Sequence, residues 1–89
     1  MRKLKDTGRL AKDIKSMITG EIIGNNGNLV IIDKWIDKKH LLITDTVTRQ
    51  TFKIKDSDIN IDYPDVAKMN IELLYSEGWT EGQLTKHIE

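Results

Sequence analysis

Residues 18–61 constrain the fold more than any other part of the chain, because their apolar residues come in runs too short for an ordinary helix. Five such runs, at 18–23, 29–36, 40–44, 49–55 and 59–61, are separated by glycine, asparagine and aspartate. Strands of this length at this spacing predict a small closed or nearly closed β-barrel. Asn25, Asn26 and Gly27 supply the left-handed backbone conformations of a tight hairpin turn. Leu29, Val30, Ile31 and Ile32 follow without a polar break, as in a strand covered on both faces, with an N-terminal helix as the expected cover on one of them. Between 49 and 55 the pattern is two-faced. Gln50, Phe52 and Ile54 share one side, which directs Phe52 and Ile54 into the core, while Arg49, Thr51, Lys53 and Lys55 share the other. A single 3₁₀ turn at 56–58 is expected to link the last two strands.

The flanks read as helical. Leu10, Ala11, Ile14, Met17 and Ile18 recur at helical spacing, with Lys5, Arg9, Lys12 and Lys15 largely on the other face, which predicts a basic N-terminal helix within 1–17. Gly8 would cost about 1 kcal/mol inside a helix, so the helix is expected to start near it, capped by Asp6 or Thr7. Ile14, Ser16 and Ile18 also alternate, which leaves open a first strand beginning as early as Ile14. At the other end Pro64 fits the first turn of a helix, with Asp62 or Asp65 as its cap. Val66, Met69 and Leu73 form one stripe of that helix, with Ala67, Ile71, Leu74 and Tyr75 beside it, until Gly78 stops it. Thr80 to Gln83 matches a capping box, and Trp79 stands where a hydrophobic staple would touch Leu84, which predicts a second helix over 81–88. The 89 residues are expected to form a single domain, with the helix at 1–17, the barrel at 18–62 and a helical hairpin at 63–89. A second core would have too few residues to bury.

In residue type, the segments 36–43, 46–53 and 58–61 resemble the SH3-like small barrels, including the Sm-like proteins. Strand pattern and resemblance together imply an α+β fold: a five-stranded SH3-like small β-barrel with an N-terminal helix and a C-terminal helical hairpin. The resemblance also implies rings that bind RNA through the loops after the second and fourth strands, which here hold Asp37 to His40 and Asp56 to Asp58. The family's second-strand glycine and the asparagine after its loop aspartate have no counterpart, which argues against RNA contacts of that kind. Residues 71–88 resemble the first two helices of a helix-turn-helix domain, in which a further helix enters the major groove. This segment is acidic and no further helix is expected after it, so it reads as a hairpin packed on the barrel.

Chemistry-bearing constellations are lacking. Without cysteine there is no disulfide, thiolate nucleophile or cysteine-based zinc site. Asp56, Asp58, Asn60 and Asp62 imitate the opening of a calcium-binding EF-hand loop, but Ile61 and Ala67 stand where that loop needs glycine and a bidentate glutamate. His40 and His87 could meet Asp37 around a metal, yet both are isolated, and Ser16, Ser57 and Ser76 have no base in context. No cofactor, metal or small-molecule substrate is expected, and the chain is not expected to be an enzyme. No apolar run approaches the roughly 20 residues that span a bilayer, so no membrane partner is expected and a cytoplasmic location is the default. The abundance of Lys, Ile, Asn and Asp suits a bacterial or phage protein.

The expected function is a small binding module acting through protein–protein contacts, with a protein partner or self-association. Its candidate binding residues are Trp35, Lys38, Lys39, His40, Arg49, Lys53 and Lys55. Trp35 follows an apolar strand yet lies at a turn, so exposure would mark an interface and burial under the N-terminal helix would make it core. The alternative is a nucleic-acid-binding accessory protein. It rests on the outward face of Arg49, Lys53 and Lys55, with Lys38, Lys39 and His40 near it, and on residues 1–15, where six basic residues meet two acidic ones. Acidic residues at nearly every turn make a solvated mixed-charge surface the better explanation of these basic residues, and five acidic against two basic residues in 63–89 leave that end of the chain acidic.

Overall fold

The apolar run at 29–32 lies in β5 (Leu29–Trp35), the middle strand of a five-stranded antiparallel sheet. The computed structural model describes residues 2–87. Before β5 come β1 (Arg2–Leu4), β2 (Asp6–Leu10), β3 (Ile14–Lys15) and β4 (Ile22–Gly24). After it come β6 (His40–Asp45), β7 (Thr51–Lys55), a 3₁₀ turn at Asp56–Asp58 and β8 (Ile59–Ile61). The helices α1 (Pro64–Ser76) and α2 (Glu81–Leu84) follow, and then β9 (Thr85–His87). The sheet runs in the order β7-β6-β5-β2-β8 and curls into a half-barrel. Two small ladders flank it, β1 with β9 and β3 with β4.

Strand β5 is buried on both faces, as its unbroken apolar run predicts. Val30 and Ile32 point into the half-barrel with Leu10, Leu41, Ile43, Ile54 and Ile59, while Ile14 and Phe52 pack against that cluster from its margin. Leu29 and Ile31 point the other way, into a second cluster with Ile71, Leu74, Trp79 and Leu84. The element covering this outer face is therefore the C-terminal helical segment, not an N-terminal helix.

The expected α+β barrel with a leading helix and a trailing helical hairpin is overturned. The chain is mostly β, 42% strand against 24% helix, and α1 is the only helix of seven or more described residues. Where a helix was expected within 1–17 there are three strands. Gly8 is the physical reason: β2 lies between β5 and β8, with Gly8 opposite both Val30 and Ile61. A Cβ there would sit 2.7 Å from the Asn60 carbonyl oxygen, so only a residue without a side chain lets β8 close on β2. The sheet thus draws its first strand from residues before 18. The run at 18–23, expected in the barrel, gives only β4, which pairs with β3. A turn forms at Asn26-Gly27, the Asn28 N–H donating to the Asn25 carbonyl at 3.0 Å, but Gly27 alone of the three is left-handed, at φ +88°. The turn joins β4 to β5 without pairing them.

At the C-terminus the capping box forms, the Thr80 N–H donating to Gln83 Oε1 at 2.9 Å, and Trp79 and Leu84 share a cluster as a staple requires. Yet α2 ends after one turn, because 85–87 pairs with β1 in the register Lys3 to Lys86 and Leu4 to Thr85. Position 88 of the expected helix lies outside the described residues. In α1 the buried stripe is Ala67, Ile71 and Leu74, and Val66, Met69 and Leu73 face solvent. The N-cap is Tyr63. The Asp62 carboxylate instead turns inward, accepting from the Thr7 hydroxyl at 2.8 Å and from Asn70 Nδ2 at 2.9 Å, which ties β2, the end of β8 and α1 together.

Candidate functional site

The β3–β4 hairpin is built around Ser16. Its hydroxyl accepts the Ile18 and Thr19 N–H groups, each at 3.2 Å, its carbonyl accepts the Gly20 N–H at 2.9 Å, and its own N–H donates to the Glu21 carbonyl at 2.8 Å. Gly20 closes the turn at φ +76°, in the left-handed region that glycine adopts without strain. The result is a tight tip, bonded within itself, that holds Met17 and Ile18 at 101% and 95% exposure. The base of the hairpin is fixed from two sides. Asp13 Oδ1 accepts the Asn26 N–H at 2.8 Å, and the Thr48 hydroxyl donates to the Ile23 carbonyl at 3.1 Å. Gly24 is buried where a Cβ would meet Leu10 Cδ1 at 2.7 Å and Phe52 Cζ at 2.9 Å, so the hairpin base seats directly on the mouth of the half-barrel.

Between this hairpin and β7 runs an open groove of about 660 Å³. Its apolar lining is Ile14, Met17, Ile18, Ile23, Phe52 and Ile54. Four lysines, Lys12, Lys15, Lys53 and Lys55, line it too, against the carboxylates of Asp13 and Asp58. Lys12 Nζ is paired with Asp58 at 3.1 Å; Lys15, Lys53 and Lys55 have no ion-pair partner among the described residues. The groove is therefore apolar along its floor and net positive at its margin.

Strand β7 is an edge of the sheet, and the register shows which of its backbone groups are spare. Residues 51 to 55 face 44 to 40 of β6 in turn. The Asp45 N–H donates to the Gln50 carbonyl and the Asp56 N–H to the Lys39 carbonyl, which marks these as hydrogen-bonded pairs at the two ends of the ladder. Since such pairs alternate in an antiparallel ladder, Phe52 and Ile54 bond to β6, and Thr51, Lys53 and Lys55 turn their N–H and C=O groups to the open side. The Lys55 N–H is taken by Asp58 Oδ2 at 3.1 Å. The N–H and C=O of Thr51 and Lys53 face outward with no partner among the described residues.

A second depression, about 280 Å³, lies on the other side of the sheet. Its polar groups satisfy one another: Asp33 accepts Lys5 Nζ at 2.9 Å and the Thr44 hydroxyl at 2.7 Å, and that hydroxyl lies 2.8 Å from the hydroxyl of Thr51. The Arg49 guanidinium lies 4.3 Å from the centre of the buried Trp79 ring, a cation–π contact. Arg49 adopts φ +64° to make the preceding turn.

The candidate residues are thereby divided. His40, Lys53 and Lys55 come together in the groove, and Lys38 and Lys39 are exposed on the turn just before His40. Arg49 belongs to the opposite depression with Trp79. Trp35, at the end of β5 opposite Leu41, is 47% exposed and lines neither depression. His40 Nδ1 lies 3.0 Å from the Asp37 carboxylate, whose Oδ1 also accepts the Lys39 and His40 N–H groups at 2.8 Å. The Lys39 N–H foremost, and then the His40 imidazole, hold the Asp37 carboxyl below the usual carboxylate range. The side chain of His87, the other histidine considered for a metal, lies outside the described residues. Lys12, Ile14, Lys15 and Met17, which complete the groove with Ile18, escape a reading of 1–17 as a helix. The alternation of Ile14, Ser16 and Ile18 ahead of Gly20 was the signal that could have found them.

Compared with protein-family models, curated proteins and solved structures, the chain matches none.

Proposed function

We propose that this chain is a non-enzymatic recognition module that binds another protein in the groove between the β3–β4 hairpin and β7. The observation that carries the proposal is the hairpin tip. A turn bonded within itself holds Met17 and Ile18 in water, beside an apolar groove and an edge strand with spare backbone groups. Two adjacent, fully exposed apolar side chains on a braced turn contribute nothing to either core, and such surface gains free energy only when a partner covers it. The nucleic-acid alternative has less support. Arg49 is drawn over Trp79 on the far side of the sheet, Lys12 is held by Asp58, and Phe52 packs against the core in place of offering a stacking face.

A displayed random-peptide library, panned against the protein and against a Met17→Ser/Ile18→Ser variant, tests the proposal. Both positions are exposed, so the variant keeps its fold. Peptides that the parent protein retains and the variant loses are the expected result. A library that yields no binder, or binders indifferent to the variant, overturns it. Nucleic-acid binding at about 50 mM salt that vanishes on reversing Lys53 and Lys55 would put the alternative in its place.

A further inference from the structure

Resting on the recognition groove proposed above, we infer that its occupant is an extended segment of acidic, alternating character that adds to β7 as a sixth strand of the sheet. Three independent features of the groove converge on this chemistry. The first is the backbone. Thr51 and Lys53 present unpaired N–H and C=O groups on the open edge of β7, as fixed by the β6–β7 register and by the bonded pairs at both ends of that ladder. A helix laid in the groove satisfies its own backbone and leaves these groups bare; an extended chain bonds to them in the ladder that β7 already supports.

The second feature is charge. Lys15 on one wall and Lys53 and Lys55 on the other have no ion-pair partner among the described residues. Lysines on an edge strand repel other basic strands and discourage indiscriminate apolar pairing, so they select for a partner that brings carboxylates. The third is the apolar lining. Met17 and Ile18 at the tip, with the partly exposed Phe52 in the groove, offer contact to the alternate side chains of a strand that point to one face while its other side chains meet lysine or solvent.

The test uses the full chain and a short fluorescent peptide in which glutamate alternates with valine, read by anisotropy. Two further peptides carry backbone N-methyl groups, on alternate residues in one register or in the other. Strand addition uses every second N–H of the added chain, so one methylated peptide should lose about tenfold or more in affinity and the other should keep it. Lys53→Glu/Lys55→Glu should weaken the parent peptide by a similar factor, and a peptide with lysine in place of glutamate should restore binding to that variant. If both methylated peptides bind equally well, or both fail, strand addition is overturned while the groove stands as a binding site. Binding of only basic, neutral or helical peptides, sensitive to Met17→Ser/Ile18→Ser, overturns the inference and keeps the recognition proposal. If no peptide of any chemistry binds, both are overturned.

Discussion

Replacing Gly8 by alanine should destabilise the protein, and the sign of the effect distinguishes the observed fold from the one that periodicity suggests. In a helix the change would stabilise by about 1 kcal/mol, since alanine is the better helix former. In the sheet the new Cβ sits 2.7 Å from the Asn60 carbonyl oxygen and 2.8 Å from Ile59 Cδ1. Ordinary contact begins near 3.4 Å, so β8 must withdraw by about 0.7 Å. The nearest atom belongs to the backbone, so no rotamer change relieves the clash. The movement disturbs the Gly8–Ile61, Arg9–Asn60 and Leu10–Ile59 pairs together. Overpacking of this kind costs about 1–3 kcal/mol. Reduced freedom of the unfolded chain returns about 0.4–1 kcal/mol, leaving a net loss of about 1.3 kcal/mol at the centre of the two ranges. Urea unfolding followed by far-ultraviolet circular dichroism gives the midpoint; with a slope of about 1 kcal/mol per molar for a chain of this size, it should fall by about 1.3 M. Gly82→Ala is the internal control, because a Cβ in α2 meets nothing within 4 Å, and it should hold or raise the midpoint. A Gly8→Ala midpoint at or above that of the parent protein would refute the close approach of β8 to β2.

Three further outcomes follow from other parts of the structure. Thr7→Val removes the buried hydroxyl that bonds Asp62 and Asn70, and should cost about 1–2 kcal/mol in the same urea assay; an unchanged midpoint would mean the network does not hold α1 to β2. Trp35 is half exposed and Trp79 is buried, so iodide should quench one component of the tryptophan emission, and Trp35→Phe should leave a blue-shifted remainder that iodide scarcely touches. The Asp37 carboxyl titrates below its usual range, so its stabilisation of the β5–β6 turn is complete above the ordinary carboxylate pKa and is lost as pH falls through the lowered one. The Lys39 and His40 amide resonances should shift together in that acid range, and in Asp37→Asn that transition should be missing.

The parts of the fold legible in the sequence are those held by neighbours along the chain. β5, β6, β7 and β8 lie where their apolar runs and turn residues indicate, and the 3₁₀ turn falls between β7 and β8 as expected. Lys53 and Lys55 are exposed and Ile54 is buried, as the alternation along β7 requires. What escaped is non-local. β2 is a short strand whose buried residues include Thr7 and Gly8, and its partners lie twenty or more residues away, so nothing in its own composition announces a strand. The pairing of 85–87 with β1 is more distant still, and a single helical turn primed by a capping box masked it. The groove divides in the same way. Its β7 wall follows from strict alternation, while its hairpin wall lies in a segment whose spacing of apolar residues also suits a helix.

The pairing of β1 with β9 also bears on how the chain can be reconnected. Arg2 and His87 occupy directly opposed positions of one antiparallel ladder. The two backbones are thus about 5 Å apart at this pair. A short linker across this pair closes the described residues into a ring, which tolerates opening elsewhere in the chain. The turn at Lys38 and Lys39 lies in the exposed link between β5 and β6 and is a natural place for that opening. The feature that defeats a local reading of residues 85–87 therefore holds Arg2 and His87 side by side.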